Sequence, residues 1–463
     1  MLCSAQVPYF DKVYGTAGVD VSRSVKQLPS GSIYVLGNSD SSLYGMNDIT
    51  LTKLDIHGNE LWTRYYGTSN TENGFYLNTT ADGSFVLVGE TETAVNNLDV
   101  MYCKVDTNGT VIWNKSYATP VNETARYIEQ TSDGGYIIAG SQNDASGYYD
   151  MLALKLDANG DYIWSQTYGR TNNDYADMIH QVGTEYILTG DTKSYGAGGY
   201  DVMLYQLDSM GIEVWSRTYG DPFQNGCQGL LLTSDGKYLS YGETEIYTAS
   251  PFEFYLEKID TGGTSLWRKT FGGPGADALF SVREDSDGGF VCTGYSNSYN
   301  GGGPLDLVVL KTDSGGNFLW KQTYGGSGID IGYELIRDVN DNGFIITGKT
   351  VDSTDEYYLL KLDHFGTLSG VSETSLPIAE AEVFPNPSEG LFSLRYKLAP
   401  ESANADVLVT DVTGRVLLKT ELSGAEGSSQ LDLRKASAGI YFCSVVDGPV
   451  ILAVKKLVIS SAH

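Results

Sequence analysis

Trp62, Trp113, Trp164, Trp215, Trp267 and Trp320 are the only tryptophans of the chain, and successive gaps between them are 51, 51, 51, 52 and 53 residues. A fixed period of this length means one supersecondary unit repeated along the chain, each unit burying its apolar face against the next. Each unit contains four short runs, as in "ARYIEQTS", "GYIIAGSQ", "DMLALKLD" and "YIWSQTYG" of the third. Val, Ile, Tyr, Thr and Leu are dense in these runs and Gly-rich turns bound them, so they read as strands, here termed b, c, d and a in chain order.

Two tight turns recur. The b-to-c link reads "DGS" at 82–84, "DGG" at 133–135, "DGK" at 235–237, "DGG" at 287–289 and "DNG" at 341–343. The d-to-a link is Asp-x-x-Gly in seven copies, from Asp55–Gly58 to Asp363–Gly366. There the carboxylate accepts backbone N–H groups and the Gly takes the left-handed conformation that closes a hairpin. Strands c and d each occur seven times. Six a strands follow their turns, and a seventh, "YFDKVYG", stands alone at the start. That orphan is expected to pair near Tyr357–Asp363 and close the ring, since closure removes exposed sheet edges. The expected fold class is all-β: a seven-bladed β-propeller closed by the N-terminal strand, then a small Ig-like β-sandwich. Expected boundaries are 1–8 for a signal-peptide remnant or disordered N-terminus, 9–369 for the propeller, 370–380 for a linker and 381–463 for the sandwich. The longer c-to-d and a-to-b connections share one face of the disc, which becomes the candidate binding surface.

The chain carries 30 basic and 58 acidic residues. Such a balance repels nucleic acid and anionic lipid. Cys3, Cys103, Cys227, Cys292 and Cys443 are odd in number and lack metal-ligand spacing. No stretch is long and apolar enough to cross a bilayer. Met1–Gln6 reads as the end of a signal peptide or as an ordinary terminus.

Strand d opens on an acid in every copy: Asp48, Asp99, Asp150, Asp201, Glu253, Asp306 and Glu356. The a-to-b connection adds Asp20, Glu72, Glu123, Asn173, Asn225, Asp277 and Asp330. Two rings of oxygen ligands would suit Ca²⁺ or a basic partner. Alternatively, each side chain satisfies N–H groups of its own loop, as a residue repeated sevenfold usually serves the repeat. The tryptophans invite sugar stacking, but their apolar neighbours point to packing between blades. Lys53, Lys104, Lys155, Lys258, Lys311 and Lys361, with Gln206 in the odd copy, precede the turn Asp by two places and read as solvated stems. His57, His180, His364 and His463 are scattered and pair with no evident nucleophile. Arg23, Arg126, Arg283 and Arg337 lie on b strands at two registers, interleaved with Glu129 and Glu334, as in a mixed-charge channel.

The run "IYVLG…DITLTKLDIHGNELW" resembles kelch repeats, although a single Gly is followed here by Asn38, Glu90, Ser141 or Asp191. "LALKLDANGDYIW" resembles the repeats of quinoprotein dehydrogenases, whose propellers typically have eight blades and a cofactor over the axis. The Gly- and Tyr-rich propeller repeats of secreted bacterial proteins are also similar, over residues 9–368. These resemblances imply a fold and not an activity.

After residue 370 the period stops. "VFPNPSEGLFSLRY", "DVLVTDVTGRVLLKTEL", "SQLDLRKASAGIYFCSVVDG" and "AVKKLVIS" alternate apolar residues and turns, as a small β-sandwich does. This part resembles the C-terminal sorting domain of proteins exported by the type IX secretion system of Bacteroidota. The residues that carry the resemblance are Pro385, Asn386, Pro387, Gly390, Gly414, Arg415, Gly439, Tyr441, Lys455 and Lys456. It implies a signal peptide, translocation across the outer membrane by that machinery, and a destination outside the cell or on its surface. The expected function is therefore a non-catalytic secreted or cell-surface propeller that binds a glycan or protein on its long-loop face. The alternative is a secreted glycosidase or lyase using carboxylates of that face. No cofactor is expected, with Ca²⁺ as the open option.

Overall fold

The computed structural model describes residues 9–15, 18–40, 46–94, 97–196, 199–245, 252–299, 305–351, 355–368, 380–398, 405–411, 416–422, 424, 426–447 and 450–460. Residues 1–8, most of the expected linker, and Gly414 and Arg415 lie outside them. The chain forms two compact units, 1–370 and 371–463.

The first unit is seven four-stranded antiparallel sheets. Blades 1 to 6 take their strands in chain order, spanning 20–66, 72–117, 123–168, 174–219, 225–271 and 277–324. Blade 7 combines Ile329–Arg337, Phe344–Val351 and Asp355–Leu362 with the N-terminal strand Phe10–Tyr14. Phe10 pairs with Lys361 and Tyr14 with Tyr357, so the expected closure is present. The b strands are innermost, and Asp20–Gln27 of blade 1 touches the b strands of blades 2 and 7.

The tryptophans hold the blades together. Each lies on the outer strand against the d-to-a turn glycine of the next blade. A Cβ on Gly109 would sit 3.0 Å from Trp62, one on Gly160 3.1 Å from Trp113, and one on Gly263 3.1 Å from Trp215. A tyrosine four residues on adds a hydrogen bond to the same glycine carbonyl: Tyr66 to Gly109 at 2.8 Å, Tyr168 to Gly211 at 2.6 Å and Tyr219 to Gly263 at 2.8 Å. Phe10, opposite Lys361, holds the register that Trp62 holds opposite Lys53, and it packs on Gly58. Gly211 has φ +77°, and a Cβ on it would lie 2.7 Å from Trp164. Gly211→Ala combines left-handed strain with overpacking and is expected to cost about 2–4 kcal/mol in urea unfolding; a loss below about 0.5 kcal/mol would show that the contact is loose.

Five of the six repeated lysines are not solvated stems, and Lys53 is half-buried. Lys104, Lys155, Lys258, Lys311 and Lys361 are buried, between 0 and 8% exposed. Each reaches its own b-to-c turn: Lys104 to Asp82 at 2.7 Å, Lys155 to Asp133 at 2.9 Å, Lys258 to Asp235 at 3.0 Å, Lys311 to Asp287 at 2.7 Å, and Lys361 to Asp338 and Asp341. The neighbouring blade covers strand d, so water cannot solvate these ammonium groups and the turn carboxylate does instead. Two blades differ: the turn 182–184 of blade 4 lacks the Asp and Gln206 donates to Glu185, and the turn 29–32 of blade 1 lacks it while Lys53 reaches the Thr107 carbonyl of the next blade at 3.5 Å.

The second unit is a sandwich of a three-stranded sheet (Glu380–Phe384, Leu391–Lys397, Glu426–Asp432) and a four-stranded sheet (Val416–Glu421, Asp406–Asp411, Gly439–Asp447, Val450–Ile459). Phe392, Leu394 and Leu431 of the first meet Val407, Cys443 and Leu457 of the second in its core.

Candidate functional site

The inner strands carry the feature that sequence reading missed. Each pairs with strand c through a ladder that skips one residue, at the same repeat position in every blade. The skipped residues are Arg23, Phe75, Arg126, Asp177, Gln228, Phe280 and Tyr333. A β-bulge leaves its extra residue unpaired and re-aims its side chain. All seven line a cavity of about 130 Å³ on the propeller axis.

Two other repeat features follow from this bulge. The glycine that ends each apolar c run is compulsory because the bulged strand presses on it. A Cβ on Gly37 would lie 2.5 Å from the carbonyl oxygen of Val21, and the equivalent approach is closer in the other blades. The residue after that glycine then braces the next blade. Asn38 accepts from the N–H of Gly74 at 2.6 Å, Ser141 from Ala176 at 3.3 Å and Asp191 from Cys227 at 2.5 Å. The bulge disturbs the ladder there, and these side chains satisfy the N–H groups.

Below the bulge ring the cavity ends on a charged network. Glu334 accepts from Lys26 at 2.7 Å, Arg283 at 2.9 Å, the Val25 N–H at 2.7 Å and the Ser24 hydroxyl at 2.7 Å. Burial alone would raise the Glu334 pKa, but the two cations outweigh it and hold the carboxyl below its ordinary value. On the other side, His180 Nδ1 lies 2.9 Å from Glu129, and its Nε2 lies 2.9 Å from the Leu230 carbonyl oxygen. Arg337 stands outside the cavity lining and pairs with Asp285. The two arginine registers are thus the bulge, with Arg23 and Arg126, and deeper positions, where Arg283 and Arg337 are ion-paired.

The bulge ring itself is not symmetric. Arg23 lies 4.7 Å above the Tyr333 ring and Arg126 lies 5.2 Å from the Phe75 ring centre. Phe280 packs 5.4 Å from Tyr333 and 5.8 Å from Tyr295. Blades 4 and 5 supply the carboxyl groups Asp177, Asp191 and Glu243. Burial pushes Glu243 up to about 7, partly offset by a hydrogen bond from Gln228. Burial also raises Asp177 and Asp191, and the field of Arg126 opposes the shift in both. Tyr149, Tyr175 and Tyr200 form a run of rings with centroids 5.4 and 6.2 Å apart.

The expected acidic ring lies elsewhere. Asp48, Asp99, Asp150, Asp201, Glu253, Asp306 and Glu356 begin or nearly begin strand d, away from the axial cavity. Most meet the first residue of the next inner strand instead, as Asp150 meets Asp174 and Glu253 meets Asp277. Burial and the charge of Asp174 raise Asp150 to about 6. In blade 4 the inner-strand position belongs to Asp174, one residue after the expected Asn173. These inner-strand acids accept N–H groups four residues back, from Thr68 to Glu72 at 3.1 Å, Thr119 to Glu123 at 3.2 Å and Gly326 to Asp330 at 2.9 Å. Among the described residues no group of three or more His, Cys, Asp or Glu side chains is arranged to hold a metal ion.

In the sandwich, Asn386 accepts from the Val458 N–H at 2.9 Å, and Ser388 donates its own N–H to the Val458 carbonyl at 3.0 Å. The Pro385–Gly390 segment is thereby tied to the last strand, which also carries Lys455 and Lys456. Gly390 has φ +98°, Gly439 opens a strand, and the Tyr441 hydroxyl donates to the Ser437 carbonyl at 2.7 Å.

Residues 382–460 match the family model of the secretion system C-terminal sorting domain. No curated protein matches the sequence. Among solved structures, the chain is similar to Sqt1 of Chaetomium thermophilum bound to the N-terminus of ribosomal protein L10 (TM-score 0.43, 12% identity, 77% of this chain and 99% of that one). It is also similar to the polysaccharide lyase Uly1 (TM-score 0.46, 12% identity, 79% and 94%). A third is PorZ, a surface component of the type IX secretion system of Porphyromonas gingivalis (TM-score 0.33, 11% identity, 96% and 74%). At these levels the similarity carries no argument about activity. Fold and sorting domain together define a class: a β-propeller with a type IX secretion sorting domain. The protein is accordingly secreted or held at the cell surface, and no helix among the described residues is long and apolar enough to cross a membrane.

Proposed function

We propose that the propeller is a non-catalytic binding protein whose ligand site is the axial cavity on the long-loop face, and that the ligand is a saccharide. The observation that carries this reading is the bulge ring. One backbone device is repeated seven times, yet it presents Arg23, Phe75, Arg126, Asp177, Gln228, Phe280 and Tyr333. A position that serves the fold keeps its residue, as the turn Asp and the strand-c Gly do here, whereas a recognition surface varies it. Half-buried aromatic rings beside convergent polar groups suit the apolar faces and hydroxyl edges of a sugar.

The test is an array of glycans and cell-surface extracts probed with the full chain. Binding without release of soluble product is expected, and Phe280→Ala should weaken it at least about tenfold with an unchanged melting temperature. Binding indifferent to Phe280→Ala sets the site elsewhere. A second reading rests on Glu243: a carboxyl with a pKa near 7 can act as general acid at neutral pH. Under that reading, product accumulates from a polysaccharide and Glu243→Gln abolishes it.

A further inference from the structure

We infer that the ligand of the axial cavity is an acidic saccharide, whose carboxylate or sulfate group is received by the guanidinium groups of Arg23 and Arg126. This rests on the reading of the cavity as the binding site and adds the class of ligand.

Cations are scarce in a chain of net charge −28, and most of those inside the propeller are neutralised. On the cavity floor Lys26 and Arg283 share Glu334, and the buried strand-d lysines hold their turn carboxylates. Arg23 and Arg126 are different. Neither has an ion-pair partner within 4 Å among the described residues, and the buried Nε of Arg23 has no hydrogen-bond partner there. Both instead rest on aromatic rings, Tyr333 and Phe75, that fix the guanidinium plane. A planar donor fork held on a ring and left without an acceptor is preorganised for an oxyanion. The Phe75 blade lies between the two arginines, so both flank one arc of the cavity.

The Tyr149, Tyr175 and Tyr200 rings form a run on blades 3 and 4, and the charge of Arg126 acts on the Tyr175 phenol. Rings beside a free guanidinium fit a chain of sugars carrying acid groups better than a lone inorganic anion, which has no apolar face.

The carboxyl groups around the cavity set a pH dependence. Asp177 of blade 4 lines the cavity with Arg126, Glu243 of blade 5 accepts from the lining residue Gln228, Asp191 of blade 4 and Glu90 of blade 2 lie in the field of Arg126, and burial raises all four carboxyl groups. The neighbouring Cys227 thiol is raised as well and stays neutral. Asp177 and Glu243 are both raised to about 7, so near pH 6 these two are largely protonated and Arg126 is available. As pH rises through 7 they ionise, compete for the guanidinium and repel an anionic ligand.

The experiment measures binding of the full chain to polyuronates and sulfated glycans, alongside carboxyl-reduced and desulfated versions and neutral glycans. Acidic glycans are expected to bind, and removal of their charge should weaken binding at least about tenfold. The charged and uncharged pairs show whether carboxylate or sulfate is the group received. Arg126 is exposed, so Arg126→Gln should fold, with an unchanged melting temperature as the check, and should lose binding by a similar factor. Arg126→Lys keeps the charge without the fork and should recover only part. Affinity should fall by about tenfold from pH 6 to pH 8, and Asp177→Asn should flatten that slope. Neutral and acidic glycans bound equally well, or a full-strength Arg126→Gln, overturns the acidic-ligand inference and leaves the saccharide reading standing. Failure of every glycan to bind overturns both.

Discussion

Deletion of residues 1–15 is expected to destabilise the propeller by more than about 5 kcal/mol and to make it associate. The strand Phe10–Tyr14 closes blade 7 through five register pairs along Asp355–Leu362. It brings Phe10, 8% exposed, into the place the tryptophan occupies elsewhere. It also ties blade 7 to blade 1: Lys12 donates to the His57 carbonyl at 2.8 Å and to Asn59 at 2.9 Å, and Tyr14 donates to the Gly58 carbonyl. Loss of a buried aromatic alone costs about 3–5 kcal/mol. The rest comes from an unpaired edge, which also templates association with a second chain. Urea unfolding followed by size-exclusion chromatography with light scattering reads both effects. Phe10→Trp should be tolerated within about 1.5 kcal/mol, since it restores the residue of that register. A deletion variant that stays monomeric with an unchanged midpoint would mean the ring does not depend on its closure.

Glu334→Ala should cost about 3–5 kcal/mol, because it strands two cations in the cavity floor. Glu334 belongs to blade 7, Lys26 to blade 1 and Arg283 to blade 6, so the carboxylate links three blades. Glu334→Gln keeps acceptors for the Val25 N–H and the Ser24 hydroxyl and should lose less, which separates charge from hydrogen bonding. The folded pKa of Glu334 is depressed. Its contribution is therefore present above the ordinary glutamate pKa and lost as pH falls through the folded value. The gap between wild type and Glu334→Gln in urea should narrow as pH falls below about 4. A gap that is constant with pH would show that the ion pairs contribute nothing.

The strands, their number and the ring closure were legible because each depends on a local pattern: alternation, an Asp-Gly turn, an orphan run ending in Tyr-Gly. The burial of Lys155 was not, because solvent access to strand d is decided by the neighbouring blade. Covariation does not reveal it either: the turn 182–184 lacks its Asp and the lysine is replaced by Gln206, but the turn 29–32 also lacks one and Lys53 is kept. The arrangement of the expected acidic residues is likewise decided between blades. Strand registers place Asp48 and its equivalents at separate blade junctions, and no pattern along the chain gives the distance between such acids.

The bulge divides what sequence determined from what tertiary structure decided. The chain alone fixes where the apolar run of each c strand ends on glycine, as at Gly37, Gly140 and Gly242, because the need for a missing Cβ is written in the residue itself. It does not say what approaches that glycine. Only the assembled ring shows an inner-strand carbonyl there, a skipped ladder position, and seven side chains of five kinds turned toward a common axis. Strand geometry is a property of neighbours in sequence, whereas convergence on an axis depends on strands some fifty residues apart, and only packing of one blade against the next brings those together.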